Sequence, residues 1–416
     1  MSIHAAGVVG LVLVFLVGTL RPINLGVLAL VMTFLVGAIS AGESVKEMCS
    51  GFPVDLLVLL TGVTYLFAIA EKNGTVERVV VGAARWVEDR RGLIPWVVFV
   101  LAALPPMAGA LGSAGVALLA PLSLRLAERY DIDRRMIGLM VVHGAASGNF
   151  SPLNVLSAIV LQAVARNGLQ MSSSTLFLAN LAYNVVLAVV IYLAFGGLQL
   201  ANRKAGAARA GPAVPNEPRP RLTVDQVCTL LALLAVAVVA LGLGLSIGFV
   251  ALAAAATLHL AFPASSAGAD RKIAWDVVLL VCGIVTYVAA LQRHGTVEAV
   301  GAGIAGFHTP LVSALLLCAV GAVTSAFASS AAILGALIPL AVPLLAQGEI
   351  GTAGLVVALA ISATVVDATP FSTVGALVVA NAGDEERPRI YRGLLAWGAA
   401  MVVTAPPLTW LIFVVP

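Results

Sequence analysis

Charge is what this sequence has least of. Only 10 % of its 416 residues are charged, 61 % are hydrophobic, and the mean hydropathy is +1.05. Soluble chains carry about 25 % charged and about 45–50 % apolar residues, so this apolar excess belongs in a bilayer. Cysteine is scarce as well: Cys49, Cys228, Cys282 and Cys318 lie far apart and without ligand spacing. That pattern excludes a disulfide framework and a zinc site, and leaves single buried thiols. No long polar stretch is present to form a separate soluble catalytic domain, and the net charge of +3 is too small to mark a nucleic-acid surface.

What the chain does have is apolar runs, each near the roughly 20 residues that a spanning helix needs. They fall at 5–20, 22–40, 53–71, 136–165, 175–199, 224–241, 243–262, 274–291, 352–380 and 393–414. The first lacks the basic flank of a signal peptide and is read as a span. Two further apolar stretches, 93–127 and 309–346, are broken near their middles by small residues, around Leu104–Gly115 and Ser325–Ala332. Non-helical backbone at membrane depth is tolerated only inside protein or against a cavity. Both stretches are therefore expected to be re-entrant helical hairpins.

The distribution of basic residues sets the orientation. With the N-terminus outside and each hairpin returning to its own side, 20 of the 23 Lys and Arg fall inside; only Lys46, Arg166 and Arg293 fall outside. The expectation is a multi-pass inner-membrane protein with both termini extracytoplasmic. Residues 201–222, with five basic residues and four prolines, form a cytoplasmic linker between a first unit, 1–200, and a second, 223–416.

The two units resemble each other. Asp55–Gly62 reads DLLVLLTG and Asp276–Gly283 reads DVVLLVCG, 221 residues later, and the same shift places Gly74-Thr75-Val76-Glu77 on Gly295-Thr296-Val297-Glu298. A nearby shift pairs Gly26–Leu30 with Gly248–Leu252. Five spans and one hairpin per unit is an odd number of crossings, so the second unit inserts upside down. The fold class expected is an all-α polytopic membrane protein of two inverted repeats, a hallmark of secondary transporters that bind at the midplane. The Gly-Thr-Val-Glu turns have a local reading: Gly74 ends a helix in the left-handed region, Thr75 caps the next, and Glu77 favours its first turn. Asp55 and Asp276 open their spans on the same logic.

Two spans carry breaks. One runs His143-Gly-Ala-Ala-Ser147-Gly148-Asn149-Phe150-Ser151-Pro152-Leu153-Asn154; the other runs Ser362-Ala-Thr364-Val-Val-Asp367-Ala368-Thr369-Pro370-Phe371-Ser372-Thr373. A shift of 218 sets Asn149 on Asp367, Ser151 on Thr369, Pro152 on Pro370 and Asn154 on Ser372. Proline removes a backbone donor, so each helix breaks there. With the hairpin tips this makes four interruptions, whose half-helix N-termini attract carboxylates and whose carbonyl ends suit a small hard cation. Asp367 is the one carboxylate deep within a span, an expensive placement that marks function. It is read as a cation ligand or protonation site, ahead of a plain cap for a half-helix starting at Pro370. His143 is read as a hydrogen-bonded packing histidine ahead of a proton site.

These residues resemble the ion-transporter superfamily that includes the divalent-anion sodium symporters. Ser151-Pro152-Leu153-Asn154 looks like that family's broken-span turn, and Thr369-Pro370-Phe371-Ser372 is its second copy. The tips depart from the family's Ser-Asn-Thr triplets: Leu111-Gly112-Ser113 and Ser329-Ser330-Ala331 stand there instead. The runs at 148–153 and 367–377 are similar to MatC-type dicarboxylate carriers. The resemblance implies a secondary carrier of malonate or C4 dicarboxylates, not an enzyme, coupled to sodium or protons, with no cofactor and no resident metal. It implies a homodimer whose early spans form the scaffold. Substrate contacts are then expected from Ser113, Ser151, Pro152, Asn154, Ser329, Ser330, Thr369, Pro370, Ser372 and Thr373, and ion coupling from Gly112, Ser147, Asn149, Thr364 and Asp367. The competing readings are the large membrane subunit of a tripartite binding-protein-dependent transporter and a proton-coupled metalloid or cation exporter. An intramembrane enzyme lacks any His-x-x-x-His or Gly-x-Ser-x-Gly arrangement. A passive channel would need neither the hairpins nor a closed midplane site.

Overall fold

An apolar run can lie in hydrocarbon only if its backbone groups are paired within the segment, which the α-helix achieves. The computed structural model describes residues 3–21, 23–76, 78–79, 91–202, 222–242, 245–297, 299, 309–326, 330–346 and 348–415. Glu77, Glu298, Ser329 and the linker residues 203–221 lie outside the described residues.

The first part of the chain forms α1 (Ile3–Leu20), α2 (Leu25–Phe34), α3 (Val45–Cys49), α4 (Val54–Lys72), α5 (Ile94–Met107), α6 (Gly112–Arg129), α7 (Arg134–Gly148), α8 (Val155–Arg166), α9 (Ser173–Ala194) and α10 (Gly197–Asn202). The second forms α11 (Val224–Gly242), α12 (Ile247–Ala261), α13 (Trp275–Arg293), α14 (Pro310–Ser325), α15 (Ser330–Leu345), α16 (Thr352–Val365), α17 (Thr373–Ala380) and α18 (Arg387–Phe413). Among the described residues there is no strand. Helices α4, α9, α13, α18 and the segment Thr352–Ala380 are long and apolar enough to cross a membrane, and shorter apolar helices accompany them. Large apolar side chains also point outward: Leu260 is 84 % exposed and Val403 72 %, which suits lipid rather than water. The protein is an all-helical polytopic membrane protein.

Local signals set many helix ends. Ser44 and Glu47 form a capping box at α3, and Asp55 and Asp276 sit in the first turns of α4 and α13. Gly74 and Gly295, with φ of 74° and 68°, stop those same two helices in the left-handed region. After α4, Asn73 Oδ1 takes the Thr75 amide and hydroxyl, and the helix that Thr75 is expected to cap lies mostly outside the described residues. Two details depart from expectation. The half-helix after the second break starts at Thr373 with Ser372 as its cap, so Asp367 caps nothing there; proline fixes the turn, but the hydroxyl that reaches a free N–H fixes the start. The run 175–199 divides into α9 and α10 at Gly196, whose φ is 85°.

Two helix crossings place the rest. A Cβ on Gly26 would lie 1.9 Å from the Leu279 carbonyl oxygen, and one on Gly283 would lie 2.1 Å from that of Gly26. Helices α2 and α13 therefore touch backbone to backbone. Helices α4 and α12 do the same, with Gly62 against Gly248 and Gly248 against Val58–Leu59. Elsewhere α5 and α6 lie against α7, α14 and α15 against α16, α15 against α8, and α17 against α6. Ion pairs gather at the helix ends: Arg293 with Glu43, Lys272 with Glu71, Arg134 with Glu386, and Asp133 with Arg135 and Arg389. The hydrogen bond from Arg293 holds the Glu43 carboxyl below the usual carboxylate range. Burial pushes the Asp133 carboxyl up, but hydrogen bonds from Arg135 prevail and lower it.

Candidate functional site

The helix breaks gather polar groups within apolar segments. In the first, α7 ends at Gly148 and α8 begins at Val155. Ser151 Oγ donates to the Met107 carbonyl at 2.7 Å, and Asn154 Nδ2 donates to those of Pro106 and Ala110, both at 2.9 Å. Asn154 Oδ1 meanwhile accepts from the Leu156 amide, capping α8. The turn thus clamps the tip between α5 and α6, where Gly109 adopts a φ of 103°.

The second break repeats the scheme. Thr369 Oγ1 donates to the Ala326 carbonyl at 3.0 Å, tying the turn to the end of α14. Ser372 Oγ caps α17 and donates to the Thr369 carbonyl at 2.9 Å and to that of Asp367. Ser151 and Thr369, which a shift of 218 residues aligns, thus donate alike to carbonyls at the ends of α5 and α14.

The two breaks differ in their polar centre. Asp367 lies in a single 3-10 turn after α16, partly exposed, with both carboxylate oxygens 2.8 Å from Ser330 Oγ at the start of α15. Ser325 Oγ lies 2.9 Å from Ser330 Oγ, so a relay of hydroxyls ends on the carboxylate. At the first break Asn149 stands where the 218-residue shift sets Asp367, and Gly112 where it sets Ser330. A Cβ on Gly112 would sit 2.9 Å from Asn149 Oδ1, and that buried oxygen has no hydrogen-bond partner among the described residues. Helix α6 starts there without a side-chain cap, since Leu111 stands at its N-cap. A helix N-terminus without a cap offers free N–H groups to an anion, and the orphaned amide oxygen beside it offers an acceptor to a donor or a cation.

The remaining expected residues are placed as follows. Ser113 is half-buried in the first turn of α6 and Pro152 half-buried in the first break, whereas Pro370 is buried and Thr373 exposed. The Ser147 and Thr364 hydroxyls turn back onto the Gly144 and Ala360 carbonyls of their own helices. His143 is fully buried with both nitrogens engaged, Nδ1 3.0 Å from Asn184 Oδ1 and Nε2 accepting from Trp397 Nε1 at 2.8 Å. Reading the sequence missed Ser325, Asn180 and Asn184. Asn180 Nδ2 donates to the Ala146 and Ser147 carbonyls at the end of α7, and Asn184 donates to Asn180. Two asparagines four residues apart in an apolar helix were the available signal.

Comparison with known proteins bears on this geometry. Residues 1–149 match the family profile described as the dicarboxylate carrier protein MatC N-terminus, which agrees with the resemblance read from the motifs. No curated protein matches the chain. Among solved structures, the YdaH transporter of Alcanivorax borkumensis, described as having an unusual topology, aligns with a TM-score of 0.63 at 13 % identity, over 90 % of this chain and 88 % of its own. MtrF of Neisseria gonorrhoeae, described as illuminating a class of antimetabolite efflux pumps, aligns with a TM-score of 0.60 at 15 % identity, over 91 % and 84 %. At these identities the likeness is one of fold.

Proposed function

From a MatC-type N-terminal region on a transporter fold, we infer that this membrane transporter is a secondary active carrier of small dicarboxylates, malonate or C4 acids, coupled to sodium or protons. Its two units, 1–200 and 223–416, are inverted repeats, each with five spans and one re-entrant hairpin. Reciprocal use of equivalent positions supports this: Gly26 and Gly283 at one crossing, Gly248 and Gly62 at the other.

The observation that carries the reading is the unequal pair of polar centres. Asp367 takes its hydrogen bond from Ser330, whereas Asn149 faces Gly112 and keeps an orphaned oxygen. One copy holds an ionisable group for coupling; the other offers an uncapped helix end and a neutral amide to a substrate carboxylate and its co-bound cation. Neutralising a dianion without lysine or arginine in the site uses helix ends, hydroxyls and amides. A cation bound on the Asp367 side lowers the cost of bringing the anion to membrane depth. Moving site and hairpins together relative to the α2, α4, α12 and α13 scaffold exposes the site alternately to the two sides.

Purified protein in liposomes, given radiolabelled malonate or succinate under a sodium gradient or a pH gradient, tests this. Accumulation above equilibrium under one gradient, lost in Asp367→Asn while exchange without a gradient persists, is expected. Absence of uptake of either acid, alongside a working control carrier, would overturn it.

A further inference from the structure

Away from the helix breaks, three arginines that the carrier reading does not use line one open cavity of about 640 Å³. Arg135 comes from the first turn of α7, and Arg389 and Arg392 come from the first two turns of α18. Asp133 engages Arg135 through two contacts of 2.8 and 3.1 Å and reaches Arg389 at 3.3 Å. One carboxylate pairs with two of the three guanidiniums, so positive charge is left over. Arg392 makes no ion pair among the described residues, its Nε donating only to the Pro388 carbonyl at 3.2 Å.

The walls are apolar. The Phe195 ring lies beneath the Arg135 guanidinium at 5.0 Å, and the Trp397 ring lines the cavity while its N–H is spent on His143. From the arginines a track of small residues, Gly393, Ala396 and Ala400, runs along one face of α18. Ala396 and Ala400 are exposed, and the same face continues to Val403, which is 72 % exposed among the lipid-suited side chains.

We propose that this cavity binds an anionic phospholipid, its phosphate between Arg389, Arg392 and Arg135 and one acyl chain along Gly393, Ala396 and Ala400. A guanidinium fork matches phosphate oxygens in pairs, and basic pockets between membrane helices at the surface hold anionic headgroups. A water-soluble anion would use the arginines but leave the track empty. The track is what selects the lipid.

Native mass spectrometry of the detergent-purified protein, offered equal amounts of phosphatidylglycerol and phosphatidylcholine, reads this directly. The expected result is phosphatidylglycerol retained at least tenfold over phosphatidylcholine. Arg389→Ala/Arg392→Ala should lower that retention by on the order of fivefold per arginine. Ala400→Trp, an exposed position that removes no charge, should lower it by filling the track, and serves if the double variant does not fold. Equal retention of the two lipids, or retention unchanged in either folded variant, would overturn the site. Thermal stabilisation by inorganic phosphate alone, without a lipid preference, would also overturn it in favour of a soluble anion.

Discussion

His143 shows how its partners fix the role of a buried polar residue. A neutral imidazole has one donor and one acceptor nitrogen, and here Asn184 Oδ1 takes the first while Trp397 Nε1–H fills the second. A fully satisfied, fully buried ring is a structural tie between α7, α9 and α18. His143→Leu leaves the Trp397 donor and the Asn184 acceptor unpaired in the interior, at about 1–3 kcal/mol each. Thermal unfolding in detergent should show that loss, while uptake per folded molecule stays within about twofold. Gly112 argues the opposite case. Its missing side chain is what leaves Asn149 Oδ1 open, and an added Cβ would come within 2.9 Å of it. Gly112→Ala is expected to fold yet raise the KM for the dicarboxylate by roughly tenfold, about 1.4 kcal/mol of lost binding. An unchanged KM would remove this end of α6 from the site.

At the scale of elements, the α2–α13 and α4–α12 crossings rest on backbone contact. Because the Gly283 position touches the Gly26 carbonyl, Gly283→Val forces α2 and α13 apart, and overpacking of this kind costs about 1–3 kcal/mol or more. Gly335→Ala on α15, where the nearest atom is 3.6 Å away, is the tolerated control. Unfolding temperatures of the two variants should separate clearly. The loop after α2 is held to the end of α13 by Glu43 and Arg293, at 3.0 and 3.2 Å. Since the Glu43 pKa is lowered in the fold, its contribution is full above the unfolded value of about 4.3 and fades as pH falls through the folded value. The stability difference between the protein and Glu43→Gln should therefore shrink as pH falls below about 4.

For the whole molecule, the sidedness read from basic residues is open to direct test. In a background without the four native cysteines, Lys46→Cys should react with an impermeant thiol reagent from outside, and Ala213→Cys only after permeabilisation. The reverse pattern would invert the topology. Hydropathy, the proline-centred breaks and the left-handed glycines were legible along the chain because each acts through its own backbone or its immediate neighbours. Thus the break at 149–154 and the stops at Gly74 and Gly295 could be read off the sequence. The sequence also singled out Asp367 as a lone acid in a span. It could not show that Ser330, 37 residues earlier, would donate to it, nor that Asn180 would satisfy the end of α7 across 34 residues. Those pairings, the orphaned oxygen of Asn149 and the arginine cavity joining α7 to α18 arise from distant segments brought together. Local chemistry decides where a helix stops; only packing decides which polar groups are left facing one another, because the low dielectric around them makes every missing partner costly.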